Sequence, residues 1–134
     1  MRPEPRSFRV RLAVSTDVAA ICRLSRAIAR KGVLRNEQPD PPALVRRRLG
    51  PLAFVAAAHG RVVGYAWGVV RPAALYHAAQ FRRVRRVVDL DAAYVARRWR
   101  GRGVGSALVR RVLREARITV AGRRRSPTSG SRIE

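Results

Sequence analysis

The sequence is poor in the residues that most often staple a fold or hold a metal. It has one cysteine, Cys22, which excludes an internal disulfide, and two histidines, His59 and His77, too few for a structural zinc ligand set. No metal is expected. No apolar run approaches the roughly 18 residues of a membrane-crossing helix, and residues 1 to 15 lack the hydrophobic region of a secretory leader. The expected location is cytoplasmic, with no membrane partner. Lysine is nearly missing too: Lys31 stands alone, and arginine supplies the rest of 30 basic residues against 8 acidic ones, a formal charge of +22. A GC-rich coding sequence gives this arginine skew without any partner. The field still draws in polyanions, whether nucleic acid or a phosphate-bearing cofactor, by an attraction that salt weakens.

What is present suffices for one folded domain. The 134 residues are 47% apolar, too many for a disordered polyelectrolyte. Residues 1 to 7, with Pro3 and Pro5, read as a flexible leader. Phe8, Val10, Leu12 and Val14 alternate with Arg9, Arg11 and Ala13 and predict a strand. Ser15, Thr16 and Asp17 offer the start of a helix whose Val18, Ile21, Cys22 and Ile28 recur at spacings of three and four to about Arg30. Pro41 and Pro42, after a polar loop, open a short second helix that Gly50 and Pro51 end. Phe54 to Ala58 and Val62 to Val70 flank His59-Gly60 as a hairpin, the second member reading as a central strand covered on both faces.

Val84 to Val95 returns to strand. Strict alternation places Val88, Leu90, Ala92 and Tyr94 on one face and Val87, Asp89, Asp91, Ala93 and Val95 on the other. Val104, Leu108, Val112 and Ala116 then repeat at helical spacing to Arg117. Ile118 to Val120 reads as one more strand, and the chain from Gly122 onward, rich in Arg, Ser, Pro and Gly, as disordered. The order β-α-α-β-β-β-α-β predicts an α/β domain over residues 8 to 122, with a mixed, mostly antiparallel sheet flanked by helices, and a basic tail over 123 to 134.

The chemistry is concentrated in the loop between the strand ending at Val95 and the following helix, Arg100-Gly101-Arg102-Gly103-Val104-Gly105-Ser106. A helix N-terminus presents unpaired N–H groups and about half a positive charge, and glycines let a phosphate approach them. A Walker A loop would need Gly-Lys-Ser/Thr, which is missing. A Rossmann fingerprint would need a third glycine where Ser106 stands and an acid about twenty residues on, where the chain is Arg-rich.

Residue for residue, the loop resembles motif A of the GCN5-related N-acetyltransferase (GNAT) family, Arg/Gln-x-x-Gly-x-Gly/Ala after the fourth strand. Tyr94-Val95-Ala96 before it and Ser106-Ala107-Leu108 after it fit the same pattern. The resemblance extends loosely from Phe8 to Val120. It implies acetyl-CoA as cosubstrate, with its pyrophosphate on the main-chain N–H groups of Arg100, Gly101, Arg102, Gly103, Val104, Gly105 and Ser106. The pantetheine arm would run along the strand edge near Val95, and a primary amine, of a small molecule or a peptide, would attack the thioester.

That attack needs the neutral amine, so a proton acceptor helps. Asp89 and Asp91 are the catalytic candidates; they serve equally as counter-charges for neighbouring arginines such as Arg85 and Arg86. Cys22, Tyr65, Trp67 and Tyr94 read as packing, His59 as a solvated turn residue, and His77 as part of an unassigned connection. The family's further C-terminal helix and two strands, and the tyrosine they often supply to protonate the leaving thiolate, have no counterpart here, which leaves a sheet edge unpaired. A truncated enzyme, a homodimer in which a second chain completes the sheet, and a compact variant all fit. The alternatives from other classes are a nucleic-acid-binding module gripping phosphates through its Arg clusters, and a non-catalytic fragment.

Overall fold

The computed structural model describes residues 7–30, 38–72 and 86–125. Strands β1 (Arg9–Leu12), β2 (Ala53–Ala58), β3 (Arg61–Pro72) and β4 (Arg86–Val95) form an antiparallel sheet in the order β1-β2-β3-β4. Helices α1 (Val18–Arg30) and α2 (Pro42–Arg48) cover one face, and α3 (Val104–Arg125) covers the other. The β2–β3 turn is the expected hairpin: His59 and Gly60 have φ of 53° and 74°, the paired positive values of a two-residue turn whose twist matches its strands.

Both faces of the sheet are buried because β2 and the run from Val62 to Val70 of β3 have no charged residue. β2 sends Ala53 and Val55 toward α1 and α2, and Phe54, Ala56 and Ala58 toward α3. From α1, the spacing of Val18, Ile21 and Cys22 meets the first set; from α3, Val104, Leu108 and Val112 meet the second. Gly68 admits α3 closely: a Cβ there would stand 2.9 Å from Val88 Cγ1 and 3.1 Å from Val112 Cγ1. At the entry to α1, Asp17 Oδ2 accepts the Val14 N–H at 2.8 Å, while Ser15 and Thr16 form the short 3-10 turn ahead of the helix.

Three expectations need correction. Ile118 to Val120 is not a strand; α3 continues through it, and past Gly122, to Arg125. Extending a helix adds one hydrogen bond per residue fixed, whereas a three-residue strand needs a partner edge, so short β-branched runs follow the helix already under way. The basic tail correspondingly begins in helix, with 126–134 outside the described residues. The strand expected to end at Val70 also runs on, because Arg71 and Pro72 still belong to β3; the connection that holds His77 lies outside the described residues, as does the leader up to Arg6.

The third correction concerns faces. β4 contains a bulge: Trp67 pairs with Ala92 but Gly68 with Leu90, which leaves Asp91 as the extra residue. One inserted residue inverts the alternation beyond it. Ala92 and Tyr94 therefore join Tyr65 and Trp67 in the core under α1 and α2, while Val95 packs on the α3 side. Tyr94 shares the acids' face instead of opposing it.

Candidate active site

At the end of β4 the chain makes a tight 3-10 turn, Arg97–Trp99, before entering α3. The Trp99 N–H donates to Ala96 O at 2.8 Å and the Arg100 N–H to Arg97 O at 3.2 Å. The first α-type bond of α3 runs from Ala107 N–H to Gly103 O at 3.0 Å. Helix geometry therefore leaves the N–H groups of Val104, Gly105 and Ser106 without a carbonyl one turn back, pointing out of the helix end. Gly101 and Gly103 have φ of 78° and 87°, and a Cβ on either would meet nothing within 4 Å. Glycine is required there by backbone conformation, and the space in front of the loop is open.

The cradle is thus narrower than the sequence implies. The Arg100 N–H is spent inside the 3-10 turn, and its Nε donates to the Val95 carbonyl at 3.2 Å. The Arg102 guanidinium lies over the Trp99 ring, 4.9 Å from its centroid, and Trp99 is braced edge-on by Phe8. Both arginines stand beside the loop.

Asp89 and Asp91 come together on the α1/α2 face through Arg71, whose Nε donates to Asp89 Oδ2 at 3.2 Å and whose second arm lies 3.7 Å from Asp91 Oδ1. Arg48 of α2 reaches Asp91 Oδ2 at 3.4 Å. Arg71 and Arg48 thus supply counter-charge to the pair among the described residues; Arg85 lies outside them. The Trp67 indole Nε1–H donates to the same Asp91 oxygen at 2.9 Å. Asp91 keeps the face that alternation from Asp89 gives it, and the bulge shifts only the residues beyond it.

Two residues first read as packing carry polar work. Tyr65 is fully buried, stacked on Trp67 at 5.1 Å and edge-on to Tyr94 at 5.4 Å, yet its hydroxyl donates to Asp40 Oδ2 at 2.9 Å. The Asp40 N–H donates to the buried Ser25 Oγ at 2.7 Å. Burial, reinforced by the Asp40 carboxylate, pushes the Tyr65 phenol well above its usual range, so it stays a proton donor. A chain of polar contacts thus ties α1, the loop before α2, and β3. Its sequence trace is a polar atom on each apolar-looking side chain, which spacing alone does not distinguish from packing. Cys22 is buried in the same core, and burial raises its thiol above the usual value, away from nucleophilic duty.

A bulged fourth strand that runs into a glycine-kinked, N–H-lined helix start defines a fold with an anion-receiving loop at the head of α3. The chain belongs to the acetyltransferase (GNAT) family, whose model matches residues 19–124. No curated protein is significantly similar in sequence. Among solved structures, a GCN5-related N-acetyltransferase from Sphaerobacter thermophilus is 27% identical over 88% of this chain and 34% of its own, with a TM-score of 0.58. A GNAT-family acetyltransferase from Brucella melitensis, in complex with acetyl-CoA, is 21% identical over 88% of this chain and 72% of its own, with a TM-score of 0.63. GphF, a GNAT-like decarboxylase in complex with isobutyryl-CoA, is 24% identical over 82% of this chain, with a TM-score of 0.62. The chain spans 60% of GphF and about a third of the Sphaerobacter protein.

Proposed function

We propose that this chain is an acetyl-CoA-dependent N-acetyltransferase domain that transfers an acetyl group to a primary amine of a small molecule or peptide. The observation that carries the reading is the loop itself: Gly101 and Gly103 in left-handed conformations before a helix whose first N–H groups are open. Gly101 to Ser106 would receive the pyrophosphate, with Arg100 and Arg102 flanking it. Main-chain groups near Val95, freed when the Arg100 side chain swings off its carbonyl, would hold the extended arm. Acetyl-CoA supplies an activated acyl group, and the chain's own residues supply position and proton handling.

Asp91 lies four residues, roughly 13 Å, before Val95 along the strand. Asp89 and Asp91 face an incoming ammonium group with two carboxylates now bridged by Arg71. An ammonium brings the same charge as Arg71 and can replace it between them. Asp91, tied to Trp67 and Arg48, is the positioning member; Asp89 is the member assigned to accept the proton, directly or through water, as the amine attacks. A cytoplasmic setting belongs to the same proposal.

The first test is titration of the chain with acetyl-CoA at near-physiological salt, beside Gly103→Glu and with a nucleic-acid duplex as competitor. Gly103→Glu adds strain at a positive φ and a negative charge where phosphate belongs. Binding that is lost in the variant and resists the duplex supports the reading. Weak binding shared with the duplex and abolished by salt overturns it. An amine panel scored by release of free thiol then tests turnover, and Asp89→Asn is expected to lower kcat by about 100-fold.

A further inference from the structure

Between β1, α1 and the β2–β3 turn lies a groove of about 960 Å3 that the acetyl-transfer reading leaves unused. Its floor is apolar, with Leu24 and Ala27 from α1 and Ala57 and Val62 from β2 and β3. Its rim is cationic: Arg9, Arg11, Arg23 and Arg61 stand against one carboxylate, Asp17, for a formal charge of four minus one, or +3. These arginines come from three elements that the tertiary fold brings to one opening. Arg9 and Arg11 are two apart on β1 and share its inner face, and Arg9 sits opposite Ala57, which in turn sits opposite Val62. Arg23 lies on the α1 face that carries Ala20 and Ala27, and Arg61 opens β3 beside the turn.

Asp17 is already committed. It accepts two N–H bonds from Arg11, at 2.8 and 3.0 Å, and a third from Val14 at 2.8 Å. Among the described residues no ion pair engages Arg9, Arg23 or Arg61. Gathering unpaired guanidinium groups around one opening is unfavourable unless an anion enters it, and the planar fork of arginine suits phosphate oxygens in pairs. The apolar floor adds a place for a flat, weakly polar body. We infer that this groove binds an organic polyanion of nucleotide type, its body on the Leu24, Ala27 and Val62 floor and its phosphates on the Arg9, Arg23 and Arg61 rim. It is separate from the loop before α3, which lies on the other side of the sheet. The two approach each other at the hairpin turn, where Gly60 lines the groove and the His59 ring lies 6.4 Å from Trp99, and at Phe8, which adjoins Arg9 and packs edge-on against Trp99.

The test uses the full chain and ATP as probe, by isothermal titration near 150 mM salt. Arg23→Glu and the double variant Arg9→Ala/Arg61→Ala change exposed side chains only, and circular dichroism checks that both fold. Each is expected to weaken ATP binding by about tenfold or more, as loss of one or two charged hydrogen bonds does. Arg26→Ala, an exposed arginine of α1 outside the groove, is expected to change it less than about twofold. Gly103→Glu should leave ATP binding intact while acetyl transfer fails, which separates this inference from the acetyl-transfer reading. Equal losses in Arg26→Ala would reduce the effect to diffuse charge and overturn it. So would loss in Gly103→Glu, which would assign the ATP to the cofactor loop, and so would inorganic tripolyphosphate binding as tightly as ATP, which would leave the floor without a role.

Discussion

The two faces of the sheet are built from the same strands and differ in kind. Under α3 the core is wholly apolar: Phe54, Ala56, Ala58, Val63 and Ala66 meet Val104, Leu108 and Val112, and no buried polar side chain interrupts them among the described residues. Under α1 and α2 the core is laced with polar contacts, Tyr65 to Asp40, Asp40 to Ser25, Trp67 to Asp91, and Arg11 to Asp17 at its margin. The dry face fixes where α3 begins and therefore where the glycine loop opens. The wet face carries the acids and the groove. Hydrophobic packing is non-directional and tolerates adjustment, whereas hydrogen bonds specify partners, so the face that must arrange chemical groups holds the directional contacts.

The contrast can be broken most sharply on the dry side. Leu108→Ala removes a fully buried side chain from a core with nothing polar to rearrange, and should lower stability by about 2–5 kcal/mol in urea unfolding, with little dependence on pH. Next in size is Tyr65→Phe, which keeps the ring and removes the hydroxyl that donates to Asp40 Oδ2. A loss of about 1–3 kcal/mol is expected, together with a change in the loop before α2 seen as faster amide exchange. If that variant is neutral, the polar face is packing after all.

The Arg11–Asp17 pair gives a pH signature that the dry face lacks. The Arg11 hydrogen bonds, with that from Val14, hold the Asp17 carboxyl below its ordinary value of 3.8, against an opposing effect of burial. A lowered folded-state value means stability that is fully present above 3.8 and fades as acid protonates Asp17 in the folded chain. Asp17→Asn should therefore cost about 1 kcal/mol at pH 7 and progressively less in melts taken below pH 4. The smallest effect belongs to the Arg111–Glu115 pair on α3, spaced i,i+4 at 3.4 Å: Glu115→Ala should change stability by about 0.3 kcal/mol, and less in high salt.

Much of this is legible in the sequence. The apolar spacings of residues 18 to 28 and 104 to 116 located α1 and α3, Pro42 opened α2, and the His59-Gly60 turn set the hairpin, because these are local choices made within a few residues. The glycine loop was legible for the same reason: its positive φ values and open N–H groups follow from Gly101, Gly103 and the helix behind them. The faces of β4 were not. A bulge is decided by which residue of a neighbouring strand a carbonyl meets, and the step between Trp67 and Gly68 exists only in the paired sheet.

What the sequence by itself determined is the set of elements, their order, and the loop's capacity to receive an anion, since propensity, capping and periodicity act over short stretches of chain. The tertiary structure alone decided that Asp91 turns inward to Trp67, that Tyr65 finds Asp40 from 25 residues away, and that Arg9, Arg23 and Arg61 gather around one groove. Each depends on side chains distant in sequence meeting in space. A polar group's partner is chosen by what lies within about 3 Å of it once the chain has packed.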